Sequence, residues 1–573
     1  MAPDKRCGRL WDCVWFLAFA AASSVWCVTA SRQLGATFDE PVYLQRGLEH
    51  WRTGSSSGLI RMGTMPLAAD VQTLPIYVWE RWHGVQVDPL QDWEQLIPWA
   101  RAGTLVFWWL LLFYAGRTGS LLAGAWAGRL AIAVLACEPS LLAHAGLATT
   151  DIAISACLLA FVYHFRAGRD AGWLRRVGLP AFWFGAAVLA KASGLVFGGI
   201  CLVVLEVERL ARQGSFHKDV AATWRTYCRH IWNQTTPMRR DLVQIVAGGM
   251  LLTFLYCGCD WQAQPSFVAW AHGLPEGAGK QIAVWSAEHL RIFSNAGEGI
   301  VRQVKHNLHG HGAFLLGRSE PRSLWYYFPV LLTIKLTAPL LVAPLALLLL
   351  HPRAMANWAF LTSAVLVLFS FTWHVQIGVR LVLPVVVLAV VGVTAAVVNA
   401  WHASPGLWKR RLVALGSGAG VVWAATAALL VWPHGLCYVN EFWGGTAQGY
   451  RLVSDANYDW GQGLPELTYW QQQHGLERLD VWYFGTDPTV IRRPLQVIPF
   501  HVLPIQKPED VLPYVRGRLL AVGTTLQYGA PGLTEAHRQA AALLATRRPV
   551  ARTTTFLIYD FTQDARASIS TRE

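Results

Sequence analysis

Charged residues are scarce in this chain of 573 residues. Asp, Glu, Lys and Arg make up 14% of it, whereas 54% is hydrophobic, and a soluble domain carries about a quarter charged residues. The sequence has no Cys-x-x-Cys pair that would indicate a zinc site. It also lacks a P-loop, a Gly-x-Gly-x-x-Gly motif in a usable context and a Ser-His-Asp hydrolase signature. These absences argue against the common soluble enzyme classes and favour a membrane protein.

Long apolar runs are present instead. A window of about 20 apolar residues crosses roughly 30 Å of hydrocarbon, and about eleven such windows recur. They lie near residues 10–34, 97–115, 121–141, 150–165, 177–190, 192–207, 242–258, 325–350, 357–373, 381–400 and 411–432. The first window is not a cleaved signal, because it lacks a clean small-residue cleavage site and further spans follow. The sequence predicts a polytopic α-helical membrane protein.

Basic residues are distributed unevenly between the predicted loops. An N-terminus in the cytoplasm places most of them inside, as cytoplasmic loops require: Lys5, Arg6, Arg9, Arg117, Arg166, Arg169, Arg175, Arg176, the basic residues from Arg209 to Arg240, Arg353, Lys409, Arg410 and Arg411. The net charge of +13 then reflects topology, and no basic patch predicts nucleic-acid binding. The loops at residues 35–96 and 258–324 and the tail at residues 433–573 are predicted to lie outside.

The tail after the transmembrane domain, residues 1–432, has a different pattern. Helical segments at residues 462–474 and 534–546 alternate with β-rich runs at residues 479–485, 518–523 and 553–559. This alternation predicts a small extracytoplasmic α/β domain over residues 433–573. Residues 562–573 are predicted to form a disordered end.

Acidic residues stand at the outer ends of two predicted spans. Asp39 and Glu40 follow the first span, and Asp151 opens the fourth. Carboxylates near hydrocarbon are costly, so they suggest a function. The alternatives are a hydrated turn before Glu40-Pro41, and an Asp151 that caps its helix.

Several cations share the predicted outer side. Lys191 and Arg380 lie at span ends where topology gives no reason for a positive charge, so they are candidate phosphate ligands. Snorkelling beside lipid headgroups is the alternative. His144, Arg302, His309 and His311 are candidate substrate contacts. The His spacing after Arg302 offers no clear fourth zinc ligand, so no cofactor is predicted and a divalent metal is possible but not indicated.

Outward acids and cations on a hydrophobic body suggest one chemistry. A lipid-linked phosphosugar would place its phosphate on the cations and its anomeric carbon near the acids. Because phosphate is already a good leaving group, one carboxylate acting as base on an acceptor hydroxyl would suffice for an inverting displacement.

The order of several short strings resembles GT-C type membrane glycosyltransferases, specifically the protein O-mannosyltransferase-like group (glycosyltransferase family thirty-nine), to which the aminoarabinose transferases of lipid A are related. The matching strings are Asp39-Glu40, Pro139 with His144 to Asp151, Leu189 to Gly194, His309 to Gly317, Trp325 to Pro329, Asn440-Glu441, and Asp455 to Gln462. The chain departs from the family at Met65-Pro66-Leu67, where a His- or Asn-Pro-Pro-Leu motif is common, and at Gly463, where an acid is common.

The resemblance implies that Asp39 is the base, Glu40 its neighbour and Asp151 a second active-site acid. It also implies a polyprenyl-phosphate sugar donor, a protein, lipid or glycan acceptor, contact with membrane lipids, and a bacterial inner membrane with a periplasmic site. Asp455 and Asp459 are interpreted as caps of the helix that follows them. The alternative functions are a transporter or flippase, for which broken spans would be typical, and a non-enzymatic envelope assembly protein.

Overall fold

The structure is a computed structural model in which residues 5–213, 224–258, 263–291, 296–529 and 534–563 are described. A helical body is followed by a smaller region that contains a β-sheet. Most of the predicted disordered end, from residue 564 onward, lies outside the described residues.

The first half of the body is entirely helical. Its helices are α1 (Lys5–Ser31), α2 (Glu40–Thr53), α3 (Ser57–Ile60), α4 (Pro66–His83), α5 (Trp93–Ala123), α6 (Ala125–Cys137), α7 (Pro139–Ala145), α8 (Asp151–Ala167), α9 (Leu179–Ala190), α10 (Ser193–Arg212), α11 (Trp224–Gln234) and α12 (Thr236–Cys257). The predicted outer loop at residues 35–96 therefore contains three complete helices, α2 to α4.

In the described residues, the second half adds nine α-helices and one hairpin. They are α13 (Pro265–His272), α14 (Ala278–His289), α15 (Ala296–His309), β1 (Ala313–Leu315), β2 (Arg318–Glu320), α16 (Tyr327–Lys335), α17 (Ala338–Leu350), α18 (Pro352–Met355), α19 (Trp358–Phe369), α20 (Leu383–Ala403) and α21 (Leu407–Val431). Strands β1 and β2 are antiparallel. The segment at residues 258–324, which is predicted to lie outside, contains α13 to α15 and this hairpin.

Each predicted apolar segment coincides with a helix or with a bent pair of helices. Five helices are long and apolar enough to span a bilayer within the described residues, and two bent pairs raise this number to seven. The expected eleven are not reached, because α8, α9 and α19 have only 17, 12 and 12 residues and α10 carries charges such as Glu206 and Glu208 near its end. The chain is an integral membrane protein.

Two of the predicted spans are broken, which the sequence interpretation missed. Helices α6 and α7 meet at 71°, where Glu138 takes an extended conformation, as is favoured before proline at Pro139. Helices α16 and α17 meet at 113°. The Asn440 side chain donates to the carbonyl oxygens of Thr333 and Leu336, at 2.6 and 2.8 Å. This caps the free end of α16, whose carbonyl groups would otherwise lack partners.

The C-terminal region is the predicted α/β domain. It contains α22 (Leu464–Gln473), β3 (Leu479–Trp482), β4 (Leu495–Val497), α23 (Leu512–Val515), β5 (Leu519–Gly523), α24 (Thr524–Tyr528), α25 (Glu535–Ala545), β6 (Ala551–Arg552) and β7 (Phe556–Asp560). The strand order is β4-β3-β5-β7-β6. Strand β3 is parallel to both neighbours, and β7 is antiparallel to both of its own. The short strands β4 and β6 were not predicted.

A buried lysine joins this region to the body. The ammonium group of Lys335, at the end of α16, donates to the carbonyl oxygens of Leu436, Tyr438 and Asn457 at 2.8, 2.6 and 2.8 Å. The N–H of Val379 donates to Oδ1 of Asn457 at 2.8 Å. The tail is therefore fixed to the C-terminal end of α16 and to the segment that precedes α20, and this joint lies beside the site described next.

Candidate active site

A cavity of about 470 Å³ lies between the helical body and the C-terminal region. The body lines it with Asp39, Lys191 and Arg380, and the C-terminal region lines it with Asp455 and Trp460. Three residues chosen from the sequence, separated by up to 341 positions, therefore share one cavity.

Asp39 lies at the start of α2 and presents its carboxylate to this cavity. Its Oδ2 accepts a hydrogen bond from Nη1 of Arg380 at 2.6 Å and a longer one from Tyr43 Oη at 3.4 Å. The other oxygen, Oδ1, makes no hydrogen bond within the described residues. Asp39 is the N-cap residue of α2, but its side chain makes no capping hydrogen bond. The backbone N–H of Phe38 donates to the Trp460 carbonyl at 3.0 Å, which fixes the turn against the tail.

Glu40 points away from the cavity and organises the turn. Its carboxylate accepts two hydrogen bonds from Arg101, at 2.8 and 2.7 Å, and one each from the backbone N–H groups of Thr37 and Ala148. Burial opposes ionisation of Glu40, but Arg101 and the N–H donors outweigh it and hold the pKa below its usual range. These are the contacts of a residue that positions Asp39, and a catalytic role for Glu40 stays a prediction.

Asp151 is fully buried and pairs with Lys191. The Nζ of Lys191 lies 2.6 Å from Oδ1 of Asp151, while Oδ2 of Asp151 has no hydrogen-bond partner among the described residues. Asp151 lies in the first turn of α8, where the helix dipole favours an acid, but the N-cap residue is Thr150 and no side chain makes a capping hydrogen bond. Lys191 leaves α9 in an extended conformation and is directed to this acid rather than to lipid.

Arg380 links the two acids. Its Nη1 lies 2.6 Å from Oδ2 of Asp39 and 4.0 Å from Oδ2 of Asp151. The guanidinium group also lies over the Trp460 ring, 4.2 Å from the centroid, which is a cation–π contact. Its Nε has no hydrogen-bond partner within the described part of the chain. Lys191, Asp151, Arg380 and Asp39 thus form a row of alternating charges.

Two histidines, one near the end of α15 and one just after it, contribute to the cavity. His306 and His311 line it, and Nε2 of His306 lies 3.0 Å from Nδ1 of His311. Burial lowers the pKa of both imidazoles. The predicted contacts His309 and Arg302 do not line the cavity, and Arg302 pairs with Glu298 on its own helix at 2.7 Å. Among the described residues, no group of three or more His, Cys, Asp and Glu side chains could hold a metal ion.

The motif from Asp455 to Gln462 packs under the cavity and does not cap the next helix. The cap of α22 is Gly463 and makes no side-chain bond, so the capping interpretation is wrong. Asp459 instead accepts from the backbone N–H groups of Thr525 and Gly461, at 3.1 and 3.2 Å. The predicted contact His144 is buried, with its ring 6.4 Å from that of Trp460.

Asp459 gives a pH-dependent term to stability. Burial raises its pKa to about 7, so the folded state holds a proton that the unfolded chain loses near pH 4. This contribution to the free energy of unfolding is complete below about pH 4 and is lost as the pH rises through about 7. From about pH 5 to pH 8, we expect the unfolding temperature of the native protein to fall more than that of Asp459→Asn. Parallel curves in detergent-solubilised protein would contradict this.

Comparisons with solved structures give several similar chains. ArnT from Cupriavidus metallidurans, in a crystal structure bound to undecaprenyl phosphate, is 14% identical with a TM-score of 0.44, over 95% of this chain and 97% of that chain. AglB from Archaeoglobus fulgidus, in complex with an inhibitory peptide and a dolichol-phosphate, is 10% identical with a TM-score of 0.40, over 96% and 74%. The S. cerevisiae protein O-mannosyltransferase Pmt1-Pmt2 complex, bound to the sugar donor, is 14% identical with a TM-score of 0.31, over 47% and 37%.

No protein-family profile and no curated protein matches the chain. Because the identities and TM-scores are low, the function proposed below rests on the contacts of the cavity and on the sequence motifs.

Proposed function

We propose that this protein is an integral-membrane glycosyltransferase that moves a sugar from a polyprenyl-phosphate donor to an acceptor hydroxyl on the extracytoplasmic side. The observation that carries the proposal is the row of alternating charges formed by Asp39, Arg380, Asp151 and Lys191. Both cations and Asp39 line one cavity beside the membrane-spanning helices. Intramembrane or near-membrane ionisable groups mark functional sites by default.

The reaction needs one base and a place for the leaving phosphate. The oxygen of the acceptor hydroxyl would attack the anomeric carbon of the sugar. At the same time, a free carboxylate oxygen of Asp39 would accept the proton of that hydroxyl. The bond from that carbon to the phosphate oxygen breaks at the same time, and polyprenyl phosphate leaves with the electron pair. Attack opposite the leaving group inverts the anomeric configuration.

Arg380 and Lys191 supply the cations for the phosphate. Arg380 presents a planar fork of donors that suits phosphate, and Lys191 presents a compact point charge. Asp39 pairs with Nη1 of Arg380 and Asp151 pairs with Lys191, whereas Nε of Arg380 has no partner among the described residues. A donor phosphate that competes for Arg380 would release Asp39, so arrival of the donor and exposure of the base would be coupled.

Donor consumption is the direct test of this proposal. Purified protein is incubated with a panel of polyprenyl-phosphate sugars and envelope acceptors, and we expect release of polyprenyl phosphate from at least one donor.

The two broken spans favour a second candidate, a transporter or flippase, because such breaks surround transport sites. An Asp39→Asn variant that keeps full biological activity, together with no consumption of any donor in the panel, would support a transporter or flippase.

The proposed side of the membrane has its own test. The Lys and Arg bias predicts that the C-terminal region lies outside and that the end of α20 lies inside. In a background without reactive native cysteines, Gln473→Cys should react with a membrane-impermeant thiol reagent added to intact cells. Ala403→Cys should react only after the membrane is opened; both positions are exposed. The opposite pattern would overturn the orientation and the periplasmic site.

A further inference from the structure

Asp455 has a strained backbone at the edge of the cavity. Its φ is +55°, a left-handed conformation that is uncommon for residues with a side chain, although Asp and Asn adopt it more often than most. Strain of this kind persists where the surrounding structure imposes it, and it is concentrated at functional sites. A glycine would remove the strain, so the side chain itself calls for an explanation.

Hydrogen bonds within the C-terminal region hold the backbone at Asp455 in place. The N–H of Asp455 donates to Oγ1 of Thr525 at 2.9 Å, and the preceding Ser454 donates to the Gly529 carbonyl at 2.8 Å. The carboxyl group uses only Oδ1 locally, as acceptor for the N–H of Ala456 at 2.7 Å. Its Oδ2 has neither a hydrogen bond nor an ion pair within the described residues. One carboxyl oxygen in the cavity therefore remains available to a ligand.

The charges of the cavity indicate what this oxygen can bind. Asp39 and Asp151 are each paired with a cation, whereas Asp455 pairs with none in the part of the chain that is described. Burial raises the pKa of Asp455 to about 7, with Arg380 opposing the shift and Asp39 adding to it. Near neutral pH this carboxyl group can both accept and donate a hydrogen bond. Such a group suits a neutral hydroxyl better than a phosphate, which it repels when ionised.

We infer that Asp455 is a substrate-binding residue, contributed by the C-terminal region, whose Oδ2 binds a hydroxyl group of a sugar or of the acceptor in the cavity. The inference rests on the proposed function and deepens it. It gives the C-terminal region a direct part in substrate selection, because the region would read the group that is transferred or the group that receives it.

The test uses two variants that both remove the carboxyl group. Asp455→Gly relieves the left-handed strain and Asp455→Ala retains it, so we expect the Gly variant to have the higher unfolding temperature. Both variants should nevertheless lose the same ligand interaction. Affinity is measured for undecaprenyl phosphate alone and for undecaprenyl phosphate that carries a sugar. If Asp455 binds the sugar of the donor, the affinity for the sugar-carrying lipid should fall about tenfold in both variants, as for loss of one charge-assisted hydrogen bond. The affinity for undecaprenyl phosphate alone should stay unchanged.

An acceptor arm separates the other source of the hydroxyl. If Asp455 binds the hydroxyl of the acceptor, both Asp455 variants should keep the donor affinity of the native protein. Their KM for the acceptor should rise about tenfold. Asp459→Asn is the matched control, because Asp459 lies in the same motif but bonds to Thr525 and Gly461, and it should move neither quantity. Unchanged values in both arms for both Asp455 variants would overturn the inference. Failure of the native protein to bind undecaprenyl phosphate would instead overturn the donor class proposed above.

Discussion

The variant Asp39→Asn is expected to lose at least about a hundredfold in turnover, because a positioned general base is typically worth about 10²–10⁴-fold. Asn has nearly the same shape as Asp, and its amide oxygen can still accept from Arg380 and Tyr43, which now bond to Oδ2. It cannot take up the proton of an acceptor hydroxyl. The loss should therefore appear in kcat, measured by release of polyprenyl phosphate, while the variant inserts and purifies normally.

A second acid of the same outer segment provides the control. Asp92 is half-buried and accepts from the backbone N–H of Asp88 at 2.9 Å, but it does not line the cavity. Asp92→Asn makes the same chemical change and should keep native turnover. Near-native turnover of Asp39→Asn, or an equal loss in Asp92→Asn, would remove Asp39 from the role of base.

The positions of the apolar helices could be predicted from the sequence because long hydrophobic runs mark them, whereas the helices in the predicted loops at residues 35–96 and 258–324 carry no such signal and were not predicted. Each apolar run became a helix or a bent pair, and the alternation after residue 432 became α22, β3, β5, α25 and β7. The breaks were overlooked although the sequence marks them, since Glu138-Pro139 interrupts one apolar run and Lys335 with Pro339 interrupts the other. What divides them is local backbone geometry and a distant cap, Asn440.

The site was predicted only as far as topology could place its residues. Membrane sidedness brings the outer ends of spans to one surface, which is enough to group Asp39, Asp151, Lys191 and Arg380. It does not say which acid faces which cation, since Asp39 and Arg380 are separated by 341 positions. Nor does it distinguish Asp39 from its neighbour Glu40, because that difference depends on Arg101.

Asp455 was misassigned for a related reason. In the sequence it precedes a predicted helix, and an Asp in that position is commonly a cap. Its role follows from a left-handed backbone and from packing of the C-terminal region on the body, neither of which leaves a periodic pattern. The order of acids, turn residues and Trp460 in the motif was the only available signal.

The arrangement of charges also explains how two cations and two acids can be accommodated close to the membrane-spanning helices. An unpaired buried charge is expensive, whereas a pair with good hydrogen bonds offsets most of that cost. With Arg380 between Asp39 and Asp151, every acid of the row faces a cation. Because Nε of Arg380 has no hydrogen-bond partner among the described residues, a phosphate could bind this cation beside a carboxylate or in place of one, so donor affinity should depend on both cations.

The variant Arg380→Ala should weaken donor binding by roughly ten- to a hundredfold. Charge-assisted hydrogen bonds contribute about 1.5–3 kcal/mol each, and about 1.4 kcal/mol corresponds to a factor of ten in affinity. Arg380→Lys should recover only part of the loss, because a lysine cannot reproduce the bidentate geometry or the planar contact with Trp460. Lys191→Ala should weaken binding less, because the more exposed lysine is a strongly hydrated point charge.

Removing Arg380 leaves Asp39 and Asp151 without their shared partner, and removing Lys191 leaves Asp151 without its nearest cation. The unfolding temperature of each variant therefore has to be measured beside the affinity. Arg52→Ala is the control for this effect. Arg52 pairs with Glu80 in the same outer segment and lies outside the cavity lining, so its removal disturbs an ion pair without touching the proposed phosphate site. If titration with undecaprenyl phosphate gives unchanged affinity in both Lys191→Ala and Arg380→Ala, these residues serve only to neutralise the acids. A loss equal to that of Arg52→Ala would assign the effect to stability instead of phosphate binding.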